Sequence, residues 1–409
     1  MSPRTPFSPY ARLFTVPGSR AFSLAGWLGR VPMATVGLGS VLLVAGETGS
    51  YGLAGLVSGT LALSFALASP QWARVMDRVG QGPVLRWTAV ASLVLGLAFV
   101  AVVVADAPLW TWFVLAAAAG GSGANVGSVV RSRWAHALTD SSQRQTAFAF
   151  ESVADEVVFV TMPPLVTFLA AAISPPAGFL TGLLLGVGGG LWLSRQEATA
   201  PVVADRSSGQ APARPRILGP GLIAIAVTYA AIGLVFGAVD VVVVGFADEQ
   251  GRPAVAGAAL AFFAGGSLVA GLVYGVLRLP GSLTARFLGC ALLFAAAVQT
   301  LFLVDSLPVL VVLAFLAGLT IAPVLVAGMS LVESRVPRAA LTEGLTWVTT
   351  GLTVGVTVGS ALAGRAIDVW GAEEAFAVPA FGALAAGVLA VGAWAVLRRP
   401  APAAELTSA

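Results

Sequence analysis

Twelve apolar stretches of about 20 residues, six on each side of a polar segment from Arg195 to Arg216, constrain this chain more than any other feature. Wound as a helix at about 1.5 Å per residue, a stretch of that length matches the ~30 Å hydrocarbon core of a bilayer. Soluble folds have no use for twelve of them. The polar segment leaves 194 residues before it and 193 after it, so the two halves are nearly equal.

The charge content agrees. Only 10% of the residues are charged, against about 25% in a soluble domain, and the mean hydropathy is +0.91. Most of the molecular surface must therefore face lipid. All 22 basic residues are Arg. The net charge of +3 could suggest nucleic acid, but the placement of these arginines gives a better account. The one cysteine, Cys290, lies inside an apolar stretch and excludes a disulfide framework. Residues 2–20 are Pro- and Arg-rich, and the first apolar run is long enough to remain as a helix, so no cleaved leader is expected.

The spans are predicted at about 21–45, 51–72, 84–105, 109–130, 145–172, 176–194, 218–246, 254–277, 286–304, 308–331, 343–364 and 374–397. Polar or Pro/Gly-rich breaks separate them, such as Asp106-Ala-Pro108 and Ser174-Pro-Pro176. One side collects 19 of the 22 arginines: Arg4, Arg12 and Arg20; Arg74, Arg78 and Arg86; Arg131, Arg133 and Arg144; Arg195, Arg206, Arg214 and Arg216; Arg278 and Arg286; Arg335 and Arg338; Arg398 and Arg399. The other side holds Arg252 and Arg365 among Glu47, Asp106, Asp248, Glu249, Asp305, Glu373 and Glu374. The positive-inside rule then places both termini in the cytoplasm, as an even span count requires. The expected organisation is a six-helix bundle over residues 1–194, a linker over 195–217 and a second bundle over 218–409. With Pro201, Ser207, Ser208, Gly209, Pro212 and Pro215, the linker reads as a flexible tether. A faint repeat supports two related halves: a shift of 202 places Gly49 on Gly251 and Gly55 on Gly257, and one of 196 places Thr146 on Thr342.

Between the second and third spans stands Ala73-Arg-Val-Met-Asp77-Arg78-Val-Gly80-Gln-Gly82. This resembles the Gly-x-x-x-Asp-Arg-x-Gly-Arg-Arg signature of the major facilitator superfamily, at the position where that family carries it. Asp77, Arg78 and Gly80 match, while Ala73, Gln81 and Gly82 depart from the pattern. The resemblance implies an all-α membrane protein of twelve transmembrane helices in two pseudo-symmetric six-helix bundles. It also implies that Asp77, Arg78 and Gly80 form a conformational gate with the start of span 11, where a carboxylate facing a helix N-terminus makes physical sense. The corresponding loop after span 8, Gly275-Val-Leu-Arg-Leu-Pro-Gly281, lacks the aspartate.

Arg30, Glu151, Asp155, Glu156 and Asp240 fall inside apolar spans. Each unpaired charge at the bilayer centre costs about 2.5–3.5 kcal/mol, so five would cost roughly 12–18 kcal/mol, comparable with the whole stability of a fold. They must face one another or water. Arg30 lies ~15 Å into span 1, and Asp155 and Glu156 ~15–17 Å into span 5, so Arg30 is expected to pair with one of them. One arginine cannot neutralise three acids, and the surplus carboxylate is a candidate proton carrier. Glu151 shares a helix face with Asp155 and lies level with Asn125 of span 4; Asp240 has no evident partner. Each of these charges could equally be a structural ion pair, and Arg30 could bind an anionic substrate. His136 and Trp347 are better read as a loop residue and an interfacial anchor.

The resemblance implies a secondary active transporter working by alternating access, driven by the proton gradient without cofactor or metal. Among substrates, proton-coupled efflux of a small, moderately hydrophobic drug-like or metabolite compound fits acids set among Val, Phe, Ala and Gly. Proton-coupled uptake of an organic anion through Arg30 is the alternative, and a non-transporting membrane sensor or scaffold is the alternative of another class. The expected location is the plasma membrane, as a monomer, with protons, lipid and a small molecule as partners and no nucleic acid. One His and one Cys offer no catalytic or metal-ligating set for an intramembrane enzyme.

Overall fold

Within hydrocarbon every backbone N–H and C=O has to be satisfied inside its own segment, which leaves an apolar stretch of this length only the helix. In the computed structural model, twelve helices are long and apolar enough to cross a membrane: Ser19–Thr48, Leu53–Val79, Gln81–Val104, Leu109–Ala137, Ser141–Ala172, Pro175–Ser194, Pro220–Glu249, Val255–Tyr274, Leu283–Leu303, Leu307–Arg335, Arg338–Trp370 and Glu374–Leu397. They are numbered here as spans 1 to 12. The structure describes residues 8–49, 51–203, 217–252, 254–277 and 279–398, and among these all regular structure is helical. Most of the linker (204–216), with Arg206, Arg214 and Arg216, lies outside the described residues, as do Arg4, Arg278 and Arg399.

Three spans are interrupted, each for a local reason. Span 1 is Ser19–Gly29 followed by Pro32–Thr48; Pro32 has no N–H to continue the ladder, and its ring clashes with the preceding turn. Span 4 is Leu109–Ser122 and Val126–Ala137, parted at an extended Gly123. Span 10 is Leu307–Gly318 and Ile321–Arg335. By contrast, span 5 runs unbroken through Pro163 and Pro164. A short helix, Ser8–Leu13, precedes span 1, with Leu13 buried and Ala11 and Arg12 exposed. Six residues are too few to show a hydrophobic period in the sequence.

The chain forms two compact units. The first comprises Met1–Ala147, Ala154–Ala211 and Ala339–Thr346; the second comprises Phe148–Val153, Pro212–Arg338 and Trp347–Ala409. Spans 5 and 11 are therefore each shared between the units. In the first, span 6 packs along both halves of span 1 and along span 3, while spans 2 and 4 pack together. Leu43, Val57, Leu61, Phe99, Trp112 and Phe179 form its apolar core. In the second, span 12 packs against spans 7 and 9, and span 8 against span 10.

Lipid tails are as apolar as leucine, so helices in a membrane associate mainly through close van der Waals contact. The ladder in span 11 serves this purpose. A Cβ added at Gly351, Gly355 or Gly359 would overlap the carbonyl oxygens of Ala226, Ala230 and Leu234 in span 7, and one at Gly233 or Gly237 would overlap Leu352 and Val356 in span 11. Ser360 Oγ completes the seam with a 3.1 Å hydrogen bond to the Gly237 carbonyl. By contrast, Trp87 and Val388 are 75% and 72% exposed, as expected of side chains that face lipid.

Replacing Gly355 by Leu should lower the melting temperature of detergent-purified protein, at a cost of about 1–3 kcal/mol or more for overpacking. Gly364→Leu, on the same helix but with open space around its Cα, should leave it unchanged.

Candidate functional site

The break in span 1 decides where its buried charge sits. Arg30 closes the first half-helix, its backbone N–H and its Nε both donating to the Gly26 carbonyl at 3.1 and 3.2 Å. Its guanidinium is thereby aimed out of the helix, and Nη1 donates to Asp155 Oδ1 at 2.8 Å. The second half of span 4 is started by Asn125, whose side-chain oxygen accepts from the Ser128 N–H at 2.9 Å. Nearly two turns later, Arg131 Nη2 donates to the other oxygen of the same carboxylate at 2.7 Å. Asp155 of span 5 thus ties spans 1 and 4 together. The Arg30 and Arg131 side chains are 1% and 6% exposed, and that of Asp155 is 20%. Desolvating three charges is offset only when hydrogen-bond geometry is good on both sides of the carboxylate, as it is here.

Arg131 was expected in the 4–5 loop, with span 4 ending near residue 130. That expectation is corrected: the helix Val126–Ala137 carries Arg131, Arg133 and His136. The signal available in the sequence was the unbroken Val126–Val130 run leading directly into Arg131. An arginine can end a span in sequence and still be buried in the fold if a carboxylate meets it.

The other candidates fall in different surroundings. Glu151, one turn before Asp155, is 1% exposed and belongs to the 148–153 segment of the second unit. Glu156 is half-buried in the first; both glutamates are engaged in interactions. Asp240 is exposed on span 7. Among the described residues, no three His, Cys, Asp or Glu side chains gather in a way that could hold a metal ion.

Asp77, Arg78 and Gly80 stand at the end of span 2. Residues 73–79 are the last turns of its helix, and the chain reverses at Gly80, whose φ of 96° favours glycine. Asp77 Oδ2 accepts the Glu343 N–H at 2.8 Å, capping the exposed N–H groups at the start of the Leu341–Trp370 helix. The ion pair to the Glu343 side chain comes from Arg74, at 2.6 Å, one turn before Arg78. Thr342 Oγ1 adds a 3.1 Å hydrogen bond to Ser132 of span 4. All these contacts lie within the first unit, to which 339–346 belongs.

A sequence model of the Major Facilitator Superfamily matches residues 22–278 and 223–409. The chain belongs to the major facilitator superfamily. It is a multi-pass membrane transporter, and not an enzyme. Solved structures agree in fold. The human organic anion transporter MFSD10 (TETRAN) superposes with a TM-score of 0.64 at 16% identity, over 93% of this chain and 99% of that one. A bacterial homologue of the iron transporter ferroportin in an outward-facing state gives 0.71 at 14% identity, over 92% and 99%. The same homologue with soaked iron gives 0.73 at 13%, over 92% and 99%. No curated protein matches the sequence.

One further buried arginine of this transporter escaped the sequence reading. Arg133 is fully buried. It donates to Gln81 Oε1 at the start of span 3, to the Leu193 carbonyl at the end of span 6, and to the Gln196 carbonyl and Thr199 Oγ1 beyond it. It pins the first turn of the linker to the arginine-rich end of the first unit.

Asp155→Ala should be the most damaging change in the triad, because it removes the carboxylate that two buried guanidiniums share. Breaking such a pair costs about 3–5 kcal/mol, and thermal unfolding in detergent should show it. Arg131→Ala leaves the Arg30–Asp155 pair intact and should cost clearly less.

Proposed function

We propose that this transporter exports a small, moderately hydrophobic compound in exchange for protons, by alternating access, as a monomer. The proposal places it in the plasma membrane with its arginine-rich end and both termini in the cytoplasm. The observation that carries the coupling is the saturation of Asp155. With a guanidinium on each oxygen, both faces of this carboxylate are already taken up by fixed partners. Its neighbours Glu151 and Glu156 then take the coupling role. Glu151 is the more deeply buried, four residues away on the same helix face.

The gate has the strength such a cycle needs. A side-chain cap on a helix N-terminus is worth about 0.5–2 kcal/mol, and a part-exposed ion pair such as Arg74–Glu343 at most about 1 kcal/mol. Moving one charge through 100 mV of membrane potential supplies about 2.3 kcal/mol. The Asp77–Glu343 latch can therefore be closed by its own contacts and opened by one coupled proton.

Uptake of an organic anion is the second reading. It is favoured by two arginines converging at one depth and by the likeness to a structure titled as an organic anion transporter. The fold likeness to ferroportin homologues carries no substrate by itself, at 13–14% identity.

Reconstituted protein with a pH dye inside the vesicles separates these readings. A panel of hydrophobic compounds should elicit proton flux, and Glu151→Gln and Glu156→Gln together should abolish it in protein that still shows a cooperative melting transition. Proton flux that persists in the double variant rules out this coupling assignment. Flux seen only with anions, and lost in Arg30→Ala, supports uptake instead.

A further inference from the structure

The segment 196–203, expected to begin a flexible tether, is instead laid across the arginine-rich end of the first unit, to which it belongs. Its hold comes from Arg133. Nη1 of that side chain donates to the Gln196 carbonyl at 2.9 Å and to Thr199 Oγ1 at 2.8 Å. Thr199 turns its methyl onto Gly18, where a Cβ would stand 2.6 Å away. Pro201 confines the residue before it to extended backbone, and Ala200 accordingly has φ −73° and ψ 144°. Extended chain covers about 3 Å per residue, so the four residues after Thr199 carry the strap ~12 Å further. It arrives at Gly80. A Val203 methyl lies 3.6 Å from where a Gly80 Cβ would be, while Val202 points away and is 83% exposed.

The internal repeat separates this hold from ordinary helix packing. Arg335 stands 202 residues after Arg133, the same shift that relates Gly49 to Gly251. Its Nη2 donates to the Leu397 carbonyl at the end of span 12 and to Thr284 Oγ1 at the start of span 9, at 2.7 and 3.5 Å. Arg133 makes the matching pair of bonds, to the Leu193 carbonyl at the end of span 6 and to Gln81 Oε1 at the start of span 3. What the first copy adds is the Nη1 pair to the strap. Two departures from the family signature have their reason in the same place. Gln81, where the signature has Arg, accepts from Arg133 Nε; a second guanidinium there would meet its like charge. Gly82, where the signature has the next Arg, leaves room for the Ser194 carbonyl oxygen, 3.1 Å from where a Cβ would be. The Gly80 turn is thus held from both sides, by Gln81 on Arg133 and by Val203. Asp77 stands one turn before it.

We propose that the 196–203 strap is a positioning element of the gate: packed on the Gly80 turn, it holds Asp77 in register to cap the helix at Glu343. Val203 is the positioning residue at the turn, and Thr199 on Arg133 anchors it. This role rests on the Asp77–Glu343 latch described above and adds to it a component drawn from the linker.

Hydrogen exchange of the 341–345 amides, followed by mass spectrometry on full-length protein in detergent, tests this role. An N–H in the first turn of a helix has no acceptor within that helix. Asp77 therefore protects the Glu343 N–H, and its exchange rate reads the latch. Asp77→Ala should speed exchange about tenfold. Val203→Gly, which takes the methyls off the Gly80 turn, should speed it about threefold and leave the melting temperature unchanged. Thr199→Val, which removes the oxygen that Arg133 holds, should act in the same direction. Val202→Gly loosens the strap's backbone equally but touches nothing at the turn, and should exchange at the wild-type rate. A wild-type rate in Val203→Gly, or equal acceleration in Val202→Gly, overturns the strap's role while Asp77→Ala still reports the latch. A wild-type rate in Asp77→Ala removes the latch itself, and the strap's role with it.

Discussion

A charge carried into hydrocarbon has to bring its counter-charge with it, and the first unit of this transporter is arranged around that requirement. Asp155 is the shared counter-ion of Arg30 and Arg131, so one carboxylate fixes the depth and rotation of three helices. Neither arginine could occupy its place without it. The backbone prepares the geometry: a proline ends the half-helix that presents Arg30, and an asparagine cap begins the one that presents Arg131.

The second unit meets the same environment with a seam of small residues between spans 7 and 11. Its cohesion comes from contact between backbones, with glycines of spans 7 and 11 seated against each other's carbonyl oxygens. The two units thus use different means to hold their helices. One is polar, through a carboxylate shared by two arginines; the other is steric, through backbone contact. That contrast gives the acids of span 5 a place in the energetics that no residue of the glycine seam shares.

Much of this was legible in the chain. Hydropathy located all twelve spans, with ends up to about seven residues short at spans 2, 4 and 11, because a helix is the only backbone solution for an apolar segment in lipid. The Asp77-Arg78-x-Gly80 pattern marked the turn between spans 2 and 3, since a positive φ there favours glycine. Depth counted from the span ends brought Arg30 level with Asp155. The second arginine was not legible. A window that scores arginine as an end of a span cannot know that a carboxylate on the next helix will receive it. Arg133 was hidden for the same reason, as its partners are mostly backbone carbonyls and side-chain oxygens near residues 81 and 193–199. Likewise, Arg74 rather than its motif neighbour Arg78 reaches Glu343, a choice set by helix rotation.

What the amino-acid order determined alone was the solvent: length and apolarity commit each segment to lipid, and lipid commits it to a helix. Which charges are neutralised, and by which partner, was decided only by tertiary structure. Hydropathy acts along the chain, residue by residue, whereas an ion pair depends on the angle at which two distant helices present their side chains.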